Sequence, residues 1–124
     1  MITGSCLCGG IAFTLTPPLR DVVHCHCTQC RKTSGHTWAA TQVAHDQIAF
    51  TSDETLAWYP SSPEAKRGFC NRCGASVLWQ HQNDPGPSVA AGCLDNPTGL
   101  KSAKHIYCAS KGDYYQIADG EPQK

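Results

Sequence analysis

The spacing of the cysteines constrains the fold of this 124-residue chain more than any other feature. Of the nine cysteines, seven fall into C-x-C or C-x-x-C spacing: Cys6, Cys8, Cys25, Cys27, Cys30, Cys70 and Cys73. The segment from Met1 to Gly10 has neither the basic n-region nor the apolar h-region of a secretory signal. We therefore expect a cytoplasmic protein, in which such spacing is typical of metal binding rather than of a disulfide framework.

The segment Cys25–Cys30 contains three thiols that can converge on one soft metal ion. Zn²⁺ binds thiolates at about 2.3 Å; closed structural sites have four protein ligands, whereas catalytic sites commonly have three and an open position. The spacing alone leaves both possibilities open for this segment. A fourth protein ligand would come from one of six residues, namely His24, His26, His36, His45, Cys93 and Cys108.

The other four spaced cysteines form two knuckles that lie far apart in the chain. Cys6 and Cys8 make the first, Cys70 and Cys73 make the second, and each is followed by glycine. Four thiolates are the ligand set of a closed tetrahedral zinc site, so we predict a structural zinc here. The alternative is a redox-active C-x-x-C at the second knuckle, but no βαβ pattern surrounds it.

The apolar pattern predicts a small all-β domain spanning residues 1–124. Ile11–Thr16 alternates apolar with small or polar residues, as in a half-buried strand. Three short runs resemble a meander: Trp38–Val43, Gln47–Thr51 and Thr55–Tyr59. Further strands are predicted at Ala75–His81, Val89–Leu94, His105–Ala109 and Tyr114–Ile117. The residues from Arg31 to Gly35 are expected to form at best one helical turn, ended by the glycine.

The charge balance argues against two classes of partner. Ten basic and ten acidic side chains cancel, whereas nucleic-acid-binding proteins usually carry a basic excess. No segment approaches the roughly 20 apolar residues of a transmembrane helix. We therefore expect neither a nucleic-acid nor a membrane partner. A zinc enzyme remains possible, and so does a non-enzymatic zinc-binding module that binds a protein or peptide.

Several motifs together resemble the glutathione-dependent formaldehyde-activating (Gfa) family. They are GSCLCGGIAF at Gly4–Phe13, HCHCTQCRKTSG at His24–Gly35, YPSSPEAKRGFCNRCGA at Tyr59–Ala75, GCLDNP at Gly92–Pro97, KHIY at Lys104–Tyr107 and IADGEP at Ile117–Pro122. The resemblance covers essentially the whole chain. Cys93 and Cys108 lie outside the pattern, and Tyr114 stands where family members often have tryptophan.

The resemblance implies a zinc-stapled β-tent fold of antiparallel sheets with two zinc ions. A structural zinc is held by the residues matching Cys6, Cys8, Cys70 and Cys73, and a catalytic zinc by those matching Cys25, Cys27 and Cys30. The implied activity joins glutathione to formaldehyde as S-(hydroxymethyl)glutathione, a carbon–sulfur lyase reaction in the reverse sense. The implied partners are thus a glutathione-like thiol and a small aldehyde.

A glutathione-like ligand carries two carboxylates, which require fixed cations. Arg31 and Lys32 follow the last cysteine of the Cys25–Cys30 segment directly, and we predict them as the first contacts. Arg67, just before the second knuckle, is the next candidate, and Lys104 is the third. His26 lies between two predicted ligands, so its side chain is expected to point away from the metal. His36 is a candidate for the rim of the site.

Overall fold

The structure, a computed structural model, describes residues 1–124. It confirms a mainly β protein, with 41% of residues in strands and 13% in helices. The elements are β1 Ile2–Ser5, β2 Ile11–Leu15, β3 Val22–Cys25, α1 Thr28–Ser34, β4 Trp38–Gln42, β5 Ile48–Asp53, β6 Leu56–Pro60, β7 Ala65–Cys70, β8 Ser76–His81, β9 Ser88–Ala90 and β10 Ser102–Ile106. Short 3₁₀ turns lie at His45–Gln47, Ala91–Cys93 and Cys108–Ser110. No helix is both long enough and apolar enough to cross a membrane.

The strands form two sheets. The smaller has three antiparallel strands in the order β1-β2-β5, and the larger has seven in the order β10-β3-β4-β9-β8-β7-β6. Every neighbouring pair of the larger sheet is antiparallel except β10 and β3, which run parallel. The expectation of antiparallel sheets is therefore met with this one exception.

The main core joins the two sheets. On β2 the alternate side chains Ile11, Phe13 and Leu15 are fully buried, because successive residues of a strand face opposite sides. They pack with Val77 and Leu78 of the larger sheet. A second, smaller cluster contains Cys30, Trp38, Ala40 and Ala90. This second cluster packs against Cys25 and Cys27.

The predicted meander is wrong in its pairing, although all three of its strands exist. β4 lies in the larger sheet, β5 pairs with β2 in the smaller sheet, and β6 pairs with β7. Alternation of apolar residues specifies which face of a strand is buried, but it does not specify the neighbouring strand. The pairing is determined by contacts between residues far apart in the sequence.

Three other strand predictions differ from the structure. The run Tyr114–Ile117 is not a strand, and its tyrosines contact histidines instead of a neighbouring strand. The predicted strands Val89–Leu94 and His105–Ala109 both end early in 3₁₀ turns. The strands β1 and β7 were not predicted, since neither shows a regular apolar alternation.

Helix α1 begins earlier than the sequence suggests. Its N-cap is Cys27, whose Sγ accepts a hydrogen bond from the backbone N–H of Cys30 at 3.3 Å. It ends at Gly35, which has φ of 86° and thus adopts the left-handed conformation that glycine tolerates best. The first helical turn therefore lies within the cysteine segment and fixes the relative positions of its thiols.

Candidate metal centres and the adjoining cavity

Cys6, Cys8, Cys70 and Cys73 come together in space as one cluster, with all four Sγ atoms within 4.8 Å of one another. The distance between Sγ atoms is 3.7 Å for Cys6 and Cys8, and 3.6 Å for Cys8 and Cys70. A tetrahedral ion with Zn–S bonds of 2.3 Å places its sulfurs about 3.8 Å apart. The donor set and its spacing therefore fit a closed four-thiolate zinc site.

Backbone and side-chain N–H groups surround the sulfurs of this cluster. The amide of Ile11 donates to Cys6 Sγ at 3.3 Å, and the amides of Arg72 and Cys73 donate to Cys70 Sγ at 3.4 and 3.2 Å. Burial favours a higher pKa for the Cys70 thiol, but its hydrogen bonds lower that pKa to about 5. Such donors stabilise thiolates, which are the form of cysteine that binds metal.

The second cluster contains Cys25, Cys27 and Cys30, whose Sγ atoms also lie within 4.8 Å of one another. Cys25 ends β3, Cys27 caps α1 and Cys30 lies in its first turn. None of the six proposed fourth ligands joins this group. Burial raises the pKa of the partly buried Cys93 thiol to about 11. The cluster therefore offers three protein ligands.

The ring of His26 is turned away from the cysteines on either side of it. It is buried, with 1% exposure, and hydrogen-bonds to the hydroxyl of Tyr115 and to Nδ1 of His105, the latter at 2.9 Å. His105 Nε2 in turn lies 2.7 Å from a carboxylate oxygen of Asp119. The network connects the C-terminal segment to the cysteine turn. The sequence did not predict this network, because Tyr115 and His105 lie 89 and 79 residues after His26.

His36, the proposed rim residue, lies outside the cysteine cluster. Its Nδ1 is 2.7 Å from the hydroxyl of Tyr114, and its ring packs against Tyr115. The position at which the family often has tryptophan is therefore used here to hold a histidine. The His36 side chain does not line the cavity described next.

A cavity of about 700 Å³ adjoins the three-cysteine cluster. All three cysteines line it, together with the indole rings of Trp38 and Trp79. Its volume lies in the range of small-molecule sites, which are mostly apolar and contain a few placed polar groups. The charged groups in its wall are Arg20, Arg67 and Asp84. The cavity is thus large enough for a small-molecule substrate next to the metal cluster.

Arg67 is the buried cation of this cavity, with 7% exposure. Its Nη2 lies 3.5 Å from Cys30 Sγ and 3.4 Å from the side-chain oxygen of Gln29. Its Nε and Nη1 are buried and have no hydrogen-bond partner. Because leaving a buried charged donor unpaired is costly, these free donors are available to an anionic group beside Cys30.

The other three predicted glutathione contacts, Arg31, Lys32 and Lys104, lie outside the cavity wall. Arg31 donates from Nη1 to the backbone oxygen of Ser110 at 3.2 Å, and Lys32 is exposed. Both are on α1, which turns their side chains away from the cavity that its cysteines line. Arg20 and Asp84, which were not predicted, lie in the wall instead. They reach it from loops that only the folded chain brings together.

Tyr107 also lines the cavity and is the one non-glycine residue with a positive φ, at 55°. Its side chain is 63% exposed, so packing does not explain this conformation. Left-handed backbone costs an ordinary residue about 1–2 kcal/mol, and such strain is often found at functional sites.

We expect Tyr107→Gly to be more stable than Tyr107→Ala by about 0.5–1 kcal/mol, because only glycine relieves the strain while its greater unfolded-state entropy offsets part of the gain. Urea unfolding of the two metal-loaded variants measures the difference. Equal or reversed stabilities would show that the left-handed conformation is not retained in solution.

Comparison with known proteins extends these observations. Residues 1–110 match the family model described as glutathione-dependent formaldehyde-activating enzyme. A Halomonas elongata protein, named as a candidate enzyme of that type, is 32% identical over an alignment of 139 positions that covers 100% of this chain and 85% of the relative. An uncharacterized lyase of Schizosaccharomyces pombe is 27% identical over 84 residues, or 68% of this chain and 61% of the relative.

A solved structure of a Rhodobacter sphaeroides protein shares the fold. The TM-score is 0.64 at 24% identity, and the match covers 76% of this chain and 88% of the other. The family match includes both cysteine clusters and all of the residues around the cavity. The chain is a member of the glutathione-dependent formaldehyde-activating family.

Proposed function

We propose that this single domain of residues 1–124 is a zinc-dependent carbon–sulfur lyase that resembles S-(hydroxymethyl)glutathione synthase. It adds the thiol of glutathione to formaldehyde or a related small aldehyde. The observation that carries the proposal is the three-cysteine cluster, which has no fourth protein ligand and borders a cavity of about 700 Å³. Family membership and the lyase named among the relatives support an enzymatic role.

The two cysteine clusters have different roles in the proposed enzyme, one structural and one catalytic. Zinc held by Cys6, Cys8, Cys70 and Cys73 is structural, since four protein thiols complete its ligand set. The catalytic zinc belongs to the three-cysteine cluster. Zinc bound there would keep an incoming thiol deprotonated at neutral pH. A free thiol, with a pKa of about 8.5, is mostly protonated at that pH.

The reaction forms one carbon–sulfur bond. The electron pair of the aldehyde C=O bond moves to oxygen as sulfur attacks the carbon, and the proton lost by the thiol ends on that oxygen. The chain has to hold the two reactants together, and well-oriented reactants can gain several kcal/mol from approximation alone. The indoles of Trp38 and Trp79 enclose the space in which this occurs.

Arg67 is the residue we assign to an anionic group of the substrate. Its unpartnered Nε and Nη1 provide charged donors, and its Nη2 keeps the guanidinium beside Cys30. A carboxylate of glutathione whose sulfur lies at the cluster is the anion that fits, because charge-assisted hydrogen bonds are strongest with oxygen anions. Arg31 and Lys32 remain outer candidates for the same ligand, although neither lines the cavity.

The proposal also places the enzyme in the cytoplasm. None of the nine cysteines forms a disulfide in the structure, which is typical of proteins in a reducing compartment. Glutathione is abundant as a free thiol only under such conditions. The cavity is a concave small-molecule site, which favours this function over a module that binds a protein or peptide.

The direct test follows adduct formation by exchange NMR in a mixture of glutathione and formaldehyde. Protein loaded with two zinc ions is expected to raise the exchange rate well above the spontaneous rate, and Cys27→Ser is expected to abolish the increase. Cys108→Ser is the matched control, since this cysteine belongs to neither cluster. A wild-type rate equal to the spontaneous rate would reject this pair of substrates.

A further inference from the structure

Arg20 and Asp84 carry opposite charges in the wall of the same cavity, away from the cysteine segment in sequence. We propose that they form a subsite for an α-amino-acid group, in which Arg20 binds the α-carboxylate and Asp84 binds the α-ammonium. The substrate class is then a thiol that bears a free amino-acid head group, such as the γ-glutamyl end of glutathione. This inference rests on the proposed function, which supplies the thiol at the three-cysteine cluster.

The guanidinium of Arg20 is held in place by three hydrogen bonds. Nη2 donates to the backbone oxygen of Ala40 at 3.0 Å, Nη1 donates to Oε1 of Gln42 at 3.2 Å, and Nε donates to the backbone oxygen of Asp21 at 3.3 Å. A guanidinium has five N–H donors, so two remain free. Because the Arg20 side chain is already ordered, binding a carboxylate costs it little further conformational entropy.

The Asp84 carboxylate is half-buried and accepts no hydrogen bond from the protein. It also makes no ion pair with Arg20, because the one ion pair within 4.0 Å joins His105 and Asp119. Arg20 is exposed overall, but partial desolvation of its guanidinium lowers its pKa, and Asp84 is near enough to oppose that lowering. Because Arg20 and Asp84 line one cavity without forming an ion pair, a ligand can bind between them with its carboxylate at Arg20 and its ammonium group at Asp84.

The position of Arg20 relative to β4 is compatible with the length of the expected ligand. Trp38 lies opposite Cys25 at one end of this strand, and Gln42, which holds Arg20, is at the other end. Four residues of an antiparallel strand span about 13 Å. Eight bonds separate the sulfur of glutathione from the carbon of its γ-glutamyl carboxylate, which gives an extended reach of about 10 Å.

In this arrangement each of the two arginines binds one of the two carboxylates of glutathione. Arg67, at the cysteine end, suits the glycine carboxylate near the thiol, and Arg20 suits the γ-glutamyl carboxylate at the far end. Asp84 adds selection for the ammonium group. A thiol of the same length without the amino group would leave this carboxylate buried beside the ligand and unpaired, which costs affinity.

Calorimetric titration of the zinc-loaded protein tests the subsite with two ligands of equal length. They are glutathione and N-glutaryl-cysteinylglycine, which differs from glutathione only in lacking the α-amino group and retains the carboxylate of the head group. We expect wild-type protein to bind glutathione at least tenfold more tightly. Asp84→Asn is expected to remove most of that preference by weakening glutathione alone, and Arg20→Gln to weaken glutathione at least tenfold.

Asp53→Asn, on β5 in the other sheet, is the control and should leave both affinities unchanged. If glutathione binds wild type but Asp84→Asn alters neither ligand, or weakens both equally, the subsite is wrong and the proposed function is untouched. If wild type shows the expected preference yet does not accelerate adduct formation, the proposed function fails and the subsite stands. If neither ligand binds wild type, both are rejected.

Discussion

Cys70→Ser is expected to give insoluble or zinc-poor protein, whereas Cys27→Ser is expected to fold and to lose one zinc ion. Cys70 has 0% exposure and belongs to the main core, and its cluster connects the N-terminal knuckle to a residue 62 positions later. A structural zinc contributes on the order of 10 kcal/mol in peptide models, which is comparable to the whole stability of a typical domain.

Cys27 has a different structural role, and serine can replace part of it. Its Sγ caps α1 by accepting the N–H of Cys30, and serine is among the preferred N-cap residues. Cys27→Ser should therefore keep the helix while removing one of three metal ligands. Soluble yield, zinc content per chain and thermal unfolding measure the difference, with Cys108→Ser as control. Equal collapse of the Cys70 and Cys27 variants would contradict the division into a structural and a catalytic site.

Arg67→Met is expected to lower glutathione affinity about tenfold or more with little change in the stability of the fold. Nε and Nη1 are buried without partners, so methionine relieves their desolvation cost, but it also loses the contacts of Nη2 with Cys30 and Gln29. We expect these opposing effects nearly to cancel, so that the free energy of unfolding changes by less than about 2 kcal/mol. Binding should weaken because charged hydrogen bonds to the ligand are lost.

Lys32→Met is the matched control for this prediction. Lys32 is exposed and lies outside the cavity wall, so both stability and affinity should change little. Urea unfolding and calorimetry provide the two measurements. An Arg67→Met protein that is several kcal/mol less stable but binds glutathione normally would show that the guanidinium serves the fold through its contacts with Cys30 and Gln29.

The two cysteine clusters were predictable from the sequence because the evidence for them is local. Each knuckle brings its own cysteines together within two or three residues, and four plus three is the natural division of seven thiols. The fold class was predictable for the same reason, since a strand such as β2 shows its buried face as a period of two. The helix start was not, because cysteine is not a usual N-cap.

Strand β7 illustrates what the sequence could not reveal. Its residues Lys66, Arg67 and Gly68 look like a loop, yet it lies between β6 and β8. Gly68 is needed there because a Cβ would lie 3.0 Å from Leu78 Cβ and 3.1 Å from the ring of Trp58. Arg67 is buried and lines the cavity. These reasons exist only once the sheet has formed.

The charged residues of the cavity wall were harder to predict than the cysteine clusters for a related reason. Arg31 and Lys32 were chosen because they follow Cys30 in sequence, but a helix turns successive side chains to different faces. Arg67 is 37 residues from Cys30 and nevertheless contacts it, and Arg20 and Asp84 meet at the cavity from separate loops. Proximity along the chain was a poor guide where the strand pairing decides proximity in space.

A crystal structure of the zinc-loaded protein, alone and with glutathione, tests the central claim most directly. Two zinc ions are predicted, one with the sulfurs of Cys6, Cys8, Cys70 and Cys73, and one with the sulfurs of Cys25, Cys27 and Cys30. The fourth position of the second ion is predicted to face the cavity and to accept the sulfur of added glutathione. A fourth protein ligand on that ion, with glutathione absent from the cavity, would contradict the open catalytic site.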